Sequence, residues 1–257
     1  MTVHLVGAGP GDPGLLTLRA ASLLGRADVV VHDRLVGAGV LELVAPWAEL
    51  VDVGKRPGAH SVPQSEINAI LVDRGRRHDC VVRLKGGDPH VFGRAAEELI
   101  ALHGAGIPTE VVPGVSSAIA APAAVGIPLT TRLAASGFTV VTAHQDPATD
   151  RALDWEALAR VGTTLVILMG AARAAGFRDR LIAGGMDPLT PVAVITEATT
   201  GTQAERRLRL HELGAVPVPN PSVIVIGAVA ALDLREMAAL ADSSTTPVTP
   251  PTMEPFA

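Results

Sequence analysis

The chain has 257 residues, more than the roughly 100–200 of one typical domain, so two packed domains or one large one are expected. Apolar types make up 48% and charged types 18%, with a mean hydropathy of +0.35, which excludes a disordered chain. The net charge of −5 disfavours nucleic-acid binding by bulk electrostatics, and the one cysteine, Cys80, excludes a disulfide scaffold and favours a reducing compartment.

Apolar, β-branched runs alternate with helical spacing from the start. Strands are predicted over 3–7, 27–32, 49–53, 80–84 and 109–112, with helices over 15–24, 40–45, 64–76 and 91–103. That alternation predicts an α/β unit with a largely parallel sheet buried on both faces. Pro113-Gly114 breaks the pattern, and a small-residue stretch over 115–125 reads as a tightly packed helix. The alternation then restarts, with strands over 139–142, 163–169, 192–196, 206–210 and 222–226 and helices over 155–160, 172–183 and 230–241. Two α/β domains are therefore expected, 1–114 and 115–241, with a hinge near 113–135. Residues 242–257, rich in Ser, Thr and Pro, read as a disordered tail. No apolar run reaches the roughly 18–20 residues of a membrane span, and the N-terminus lacks a basic and apolar leader, so a cytoplasmic location is expected.

The first strand runs into Gly7-Ala8-Gly9-Pro10-Gly11-Asp12. A strand, a glycine turn and a helix suggest dinucleotide binding, but Asp12 stands where the fingerprint wants its third glycine. A carboxylate there repels a pyrophosphate, and Pro10 removes a backbone donor. Asp33 ends the second strand where a ribose-binding acid would lie, so a nicotinamide oxidoreductase stays an alternative. A tight turn without a ligand is another. The favoured reading is a turn that brings bare backbone against a different ligand. No phosphate-binding loop and no metal-ligand spacing occurs in the sequence, so no metal is expected.

The fourth strand ends in Lys85-Gly86-Gly87-Asp88-Pro89, at the edge of the sheet where α/β ligands bind. The glycines would let backbone amides approach a ligand, and Asp88 could accept hydrogen bonds from a ribose or an amine. Pro89 suits the first turn of the next helix. Only Lys55 and Lys85 are lysines among 21 basic residues. A lysine kept in an arginine-rich chain marks either a need for a compact charge, or a releasable proton, or chance.

These segments, in this order, resemble the uroporphyrinogen-III C-methyltransferases, tetrapyrrole methylases that use S-adenosylmethionine. The resemblance spans about 3–235. It rests on the stretch 6–12, Asp33-Arg34-Leu35-Val36, Val53-Gly54-Lys55-Arg56, 64–68, 83–94, Val112-Pro113-Gly114-Val115-Ser116-Ser117, 126–130, Leu168-Met169-Gly170 and 191–194. It implies a tetrapyrrole methylase fold of two α/β domains with mostly parallel sheets, the active site in the cleft between them, and a homodimer. The implied reaction moves two methyl groups from S-adenosylmethionine to C2 and C7 of uroporphyrinogen III. It gives precorrin-1, then precorrin-2, towards sirohaem and cobalamin, with S-adenosylhomocysteine as the other product. By motif position the cofactor contacts are Pro10, Gly86, Gly87, Asp88, Val91, Ser116, Ser117, Met169, Ala198 and Ala228. Asp33 matches the proton acceptor and Lys55 the donor.

The chain departs from the family at Thr131, where a His is usual, and at His32, where a Tyr is usual. A stand-alone enzyme is expected from this length, without the dehydrogenase/ferrochelatase domain sometimes fused to such enzymes. The eight carboxylates of the substrate need local cations in a chain of net −5. Arg19, Arg34, Arg56, Arg94 and Arg132 are candidates, with Arg34 and Arg94 favoured, because the arginine fork binds carboxylates bidentately. Rival readings are a methylase of the same fold acting on a later precorrin, and a non-catalytic tetrapyrrole carrier.

Overall fold

The computed structural model describes residues 1–54, 62–132, 134–147 and 153–235. In chain order the elements are β1 (Thr2–Gly7), α1 (Leu18–Leu24), β2 (Val29–His32), α2 (Ala38–Leu41), β3 (Glu49–Asp52), α3 (Gln64–Gly75), β4 (Cys80–Lys85), α4 (Ala95–Gly104) and β5 (Thr109–Val112). Then follow α5 (Ser117–Ala124), β6 (Phe138–Thr142), α6 (Trp155–Arg160), β7 (Thr164–Leu168), α7 (Ala174–Ala183), β8 (Pro191–Thr196), β9 (Ala204–Arg209) and β10 (Ser222–Ile226). Three of the helices, α1, α5 and α6, begin on side-chain caps. Thr17 Oγ1 accepts from Ala20 N–H, and Asp154 Oδ1 from Ala157 N–H.

The first sheet has the order β3-β2-β4-β1-β5 and every pairing is parallel. Period-two alternation divides its strands between two cores. Val6, Val30, Val82 and Leu84 pack with Leu23 and Leu24 of α1, whereas Val3, Leu5, Val29, Val31 and Val81 pack with Leu71 of α3 and Leu102 of α4. The chain leaves β1 for α1 on one face and β4 for α4 on the other. Neighbouring strands that send their connections to opposite faces form the topological switch point, the usual ligand crevice of an α/β sheet. Here it falls between β1 and β4.

The second sheet has the order β6-β7-β10-β8-β9 and is mixed. β6 and β7 run parallel, while β10 is antiparallel to both its neighbours and β9 is antiparallel to β8. β8 and β9 form a hairpin-like pair, and the return from β9 passes over β8 to bring β10 between β8 and β7, so this half departs from a wholly parallel pattern. One face is covered by Ala118, Ala121 and Val125 at α5, the other by Trp155 of α6 and Phe177 and Leu181 of α7. The Trp155 and Phe177 rings stack at 5.2 Å.

Several predicted boundaries move. The helix expected from 91 begins at Ala95, because Phe92 and Arg94 take left-handed φ of 54° and 58°. Pro89 therefore sits in the preceding turn rather than at a helix start. The helix expected over 40–45 is displaced to Ala38–Leu41. The helix expected from 230 is replaced by a short 3-10 turn over Ala228–Ala231. The rest of that prediction and the expected tail lie outside the described residues.

Candidate active site

The bends after β1 and β4 are joined backbone to backbone. Gly9 N–H donates to the Gly87 carbonyl at 3.2 Å, and Gly87 N–H donates to the Gly9 carbonyl at 2.7 Å. The bend after β5 closes on both. A Cβ on Gly7 would lie 2.6 Å from Gly114 Cα, and one on Gly114 would lie 2.3 Å from the Gly87 carbonyl oxygen, so only glycine fits. Asp88 locks the third bend, with Oδ2 accepting from Gly114 N–H at 3.0 Å and Oδ1 from His90 N–H at 2.8 Å. Thus the Gly87 amide, expected to face a ligand, is bound to Gly9. The Asp88 carboxylate first holds the site together and keeps only its second lone pairs for a ligand.

The second half reaches the same place through the turn after β8. Asp12 N–H donates to Thr199 Oγ1 at 3.2 Å, while Thr199 N–H donates to Gln203 Oε1 at 2.7 Å. Thr199 has φ of 66° and its neighbour-but-one Glu197 46°. A left-handed β-branched residue is a genuine outlier and marks local strain of about 1–3 kcal/mol. Ala198 lies buried between them, and its carbonyl oxygen is 3.6 Å from where a Gly11 Cβ would stand. Pro10 is the residue between Gly9 and Gly11 in the β1 bend. Ser116 caps α5, its Oγ accepting from Ala118 N–H, with Ser117 as the first helical residue. A Cβ on Gly87 would lie 3.8 Å from Ser116 Cα, so the expected cofactor residues at 10, 86–88, 116–117 and 198 form one wall.

Met169 and Ala228 stand differently. Met169 is half exposed, with φ of 55°, just past the end of β7, so it is no core methionine. The pairings Val223 with Leu168 and Ser222 with Thr196 put Met169 near the turn that holds Ala198. Ala228 follows the other end of β10, about 13 Å along the strand from Ser222 at about 3.3 Å per residue. The antiparallel course of β10 therefore carries Ala228 away from the other expected contacts.

Asp33, just past β2, accepts a hydrogen bond on Oδ1 from Arg83 Nη2 at 2.6 Å and is one-third exposed. Behind it lies an ionic group that sequence reasoning missed. Arg83, Lys85 and Glu98 are buried, and Glu98 is wholly inaccessible. Glu98 Oε1 accepts from Arg83 Nε at 2.9 Å and from Lys85 Nζ at 2.9 Å, and Oε2 accepts from Lys85 Nζ at 3.0 Å. Gln64 Nε2 completes the set at 3.3 Å. Burial pushes the Lys85 ammonium below its ordinary range and Arg83 adds to that, against the pull of Glu98 and Asp33. The signal was present in the sequence: Arg83 and Lys85 are two apart in an otherwise apolar strand, hence on one buried face.

Arg34 is exposed in the turn after Asp33, and Gly54 packs on its backbone. The Arg94 fork is bidentate on Glu97, with Nε and Nη2 donating at 2.8 and 2.7 Å. Arg19 is paired with Glu110. Lys55 and Arg56 lie outside the described residues. Around the bends Leu35, Val91, Phe92, Ile119 and Met169 remain 39–59% exposed. Large apolar side chains left exposed beside the bends offer cover to a ligand with an apolar face. Among the described residues no group of three or more His, Cys, Asp or Glu is placed to hold a metal, and no helix is long and apolar enough to cross a membrane.

The profile of the tetrapyrrole (corrin/porphyrin) methylases matches residues 2–214. A uroporphyrinogen-III C-methyltransferase of Pseudomonas aeruginosa is 50% identical over 231 residues, 88% of this chain and 93% of that one. A siroheme synthase of Sodalis glossinidius is 50% identical over 232 residues, 90% of this chain, and the chain spans 49% of its length. The crystal structure of a uroporphyrin-III C-methyl transferase from Thermus thermophilus complexed with S-adenyl homocysteine is 44% identical. It superposes with a TM-score of 0.78 over 90% of this chain and 99% of that one. The bends joined at Gly9 and Gly87, the doubly covered sheets and these likenesses agree, and the chain belongs to the tetrapyrrole methylases.

Proposed function

We propose that the protein is an S-adenosylmethionine-dependent uroporphyrinogen-III C-methyltransferase that methylates C2 and then C7, giving precorrin-2 by way of precorrin-1. The observation that carries the reading is the wall of bare backbone at 10–11 and 86–88, set beside exposed apolar side chains and the part-exposed carboxylate of Asp33. Residues 1–114 are assigned Asp33 and the glycine bends of the cofactor wall, and 115–241 the rest of that wall at Ser116, Ser117, Met169 and Ala198. The reading includes a homodimer in the cytoplasm, feeding sirohaem or cobalamin synthesis.

S-adenosylmethionine supplies an electrophilic methyl on a sulfonium, and its leaving group is a neutral thioether that needs no acid. The protein's main task is alignment of the methyl with a pyrrole carbon at about 3–3.5 Å. Pro10, Gly86, Gly87, Asp88, Val91, Ser116, Ser117, Met169 and Ala198 are assigned to hold the donor. The glycine bends admit close approach, and Met169 and Val91 offer apolar cover. Attack leaves positive charge on the macrocycle, which is relieved when it loses a proton. Asp33 takes that proton, while the bond pair stays in the ring. Lys55 is assigned either to hold a substrate carboxylate or to return a proton to the macrocycle, and Arg34 and Arg94 serve as clamps for substrate carboxylates.

Incubation with uroporphyrinogen III and labelled cofactor, counting methyls per macrocycle, tests the reading. Two per ring are expected. Tight binding of NAD without binding of S-adenosylhomocysteine would overturn it, and transfer only to a later precorrin would move the assignment to another methylase of this fold.

A further inference from the structure

We propose that Glu98 and Lys85 are positioning residues for the proton acceptor: they fix Arg83, whose Nη2 holds one oxygen of Asp33 and leaves the other on the exposed side of the bend. The inference rests on the reading of Asp33 given above. The register brings the acid and both cations to one face. Val31 pairs with Arg83 and His32 with Leu84, so Asp33 stands level with Lys85, on the buried face that Arg83 and Lys85 share. Yet Lys85 Nζ turns to Glu98, and Arg83 alone spans the gap, with Nε on Glu98 and Nη2 on Asp33. A planar fork can bridge two carboxylates in this way. A compact ammonium can sit across both oxygens of one. Among the described residues Asp33 Oδ2 has no hydrogen-bond partner.

Packing does not require these charges. Val81 occupies the same strand face in the apolar core. Buried ion pairs are often no better than well-packed apolar groups of equal volume, whereas removing one partner strands the other. Two cations and two anions, three of them sealed and only Asp33 part-exposed, make an arrangement directed at Asp33. Glu98 answers both cations at once, and without it Arg83 and Lys85 would repel each other inside the protein.

The test uses Lys85→Met, Glu98→Gln and the double variant in the full chain. It measures kcat and KM for both substrates, affinity for S-adenosylhomocysteine by calorimetry, and the Asp33 side-chain carboxyl 13C resonance at fixed pH, assigned by its loss in Asp33→Asn. Each single variant is expected to lose about tenfold or more in kcat. KM and homocysteine-product affinity should stay within about twofold, and the Asp33 resonance should move. The double variant is expected to be no worse than Glu98→Gln alone, because both act through one guanidinium. Lys85→Met keeps the length of the side chain, and it decides the matter if Glu98→Gln does not fold. Turnover near that of the parent in folded Lys85→Met, or a loss of kcat with the Asp33 resonance unmoved, overturns the inference. Full turnover by Asp33→Asn instead overturns the underlying reading of Asp33, so the two failures are distinct.

Discussion

Asp33 and Arg94 carry opposite local environments. Asp33 is braced by one buried guanidinium and open on its other side, which suits a group that must accept a proton and release it. Asp33→Asn keeps the shape and one acceptor oxygen for Arg83, so affinity for S-adenosylhomocysteine should be unchanged, while the thermal midpoint should fall because two buried cations then face Glu98 alone. Loss of a positioned base typically costs about 10²–10⁴-fold, and kcat should fall by that order in a single-turnover methyl-transfer assay. Arg94 is exposed and, among the described residues, its ion pair is with Glu97 three residues on. Such a pair contributes about 0–1 kcal/mol. Arg94→Gln should therefore leave the thermal midpoint within about 1–4 °C, while KM for the macrocycle rises severalfold. An unchanged KM in the folded variant would remove the clamp assignment.

The bends matter more than the strands and helices they join. Gly7, Gly87 and Gly114 come from three different bends, yet their backbones are in contact. An alanine at 114 has no space, since its Cβ position is fixed by the backbone and meets backbone atoms, not a flexible side-chain end. The bend must shift, which breaks the bond from Gly114 N–H to Asp88. Overpacking of this kind costs about 1–3 kcal/mol or more. Gly114→Ala should lower the thermal midpoint and weaken S-adenosylhomocysteine binding together. Gly104→Ala, where a Cβ meets nothing within 4 Å, serves as the neutral control. Element types were legible because period-two and helical spacings survive in the sequence. The start of α4 was not. Left-handed Phe92 and Arg94 are held there by their surroundings, against the preference of their side chains.

Two separately cored sheets meet through short polar contacts, among them the bond from Asp12 N–H to Thr199 Oγ1. A ligand held between the bends of one half and the turn of the other would be bound only in the assembled fold. S-adenosylhomocysteine at a hundred times its Kd should then add about 2.7 kcal/mol and raise the thermal midpoint by about 5–10 °C, while NAD at equal concentration should not. A scanning-calorimetry series in ligand concentration checks this. Equal shifts by the two ligands would contradict the site assignment.

The sequence by itself determined the alternation of strands and helices, the two glycine bends, the acid after β2 and the membership of the family. Each of these depends on local backbone preference or on residues close along the chain. Only the tertiary structure decided which face of β4 is charged, that Arg83 reaches Asp33 across 50 residues, and that the Gly87 amide is engaged by Gly9. It also decided that β10 runs antiparallel and takes Ala228 to the opposite end of the strands from Met169 and Ala198. Strand order and direction come from burying both faces of a sheet at once, a sum over distant segments that no local pattern contains.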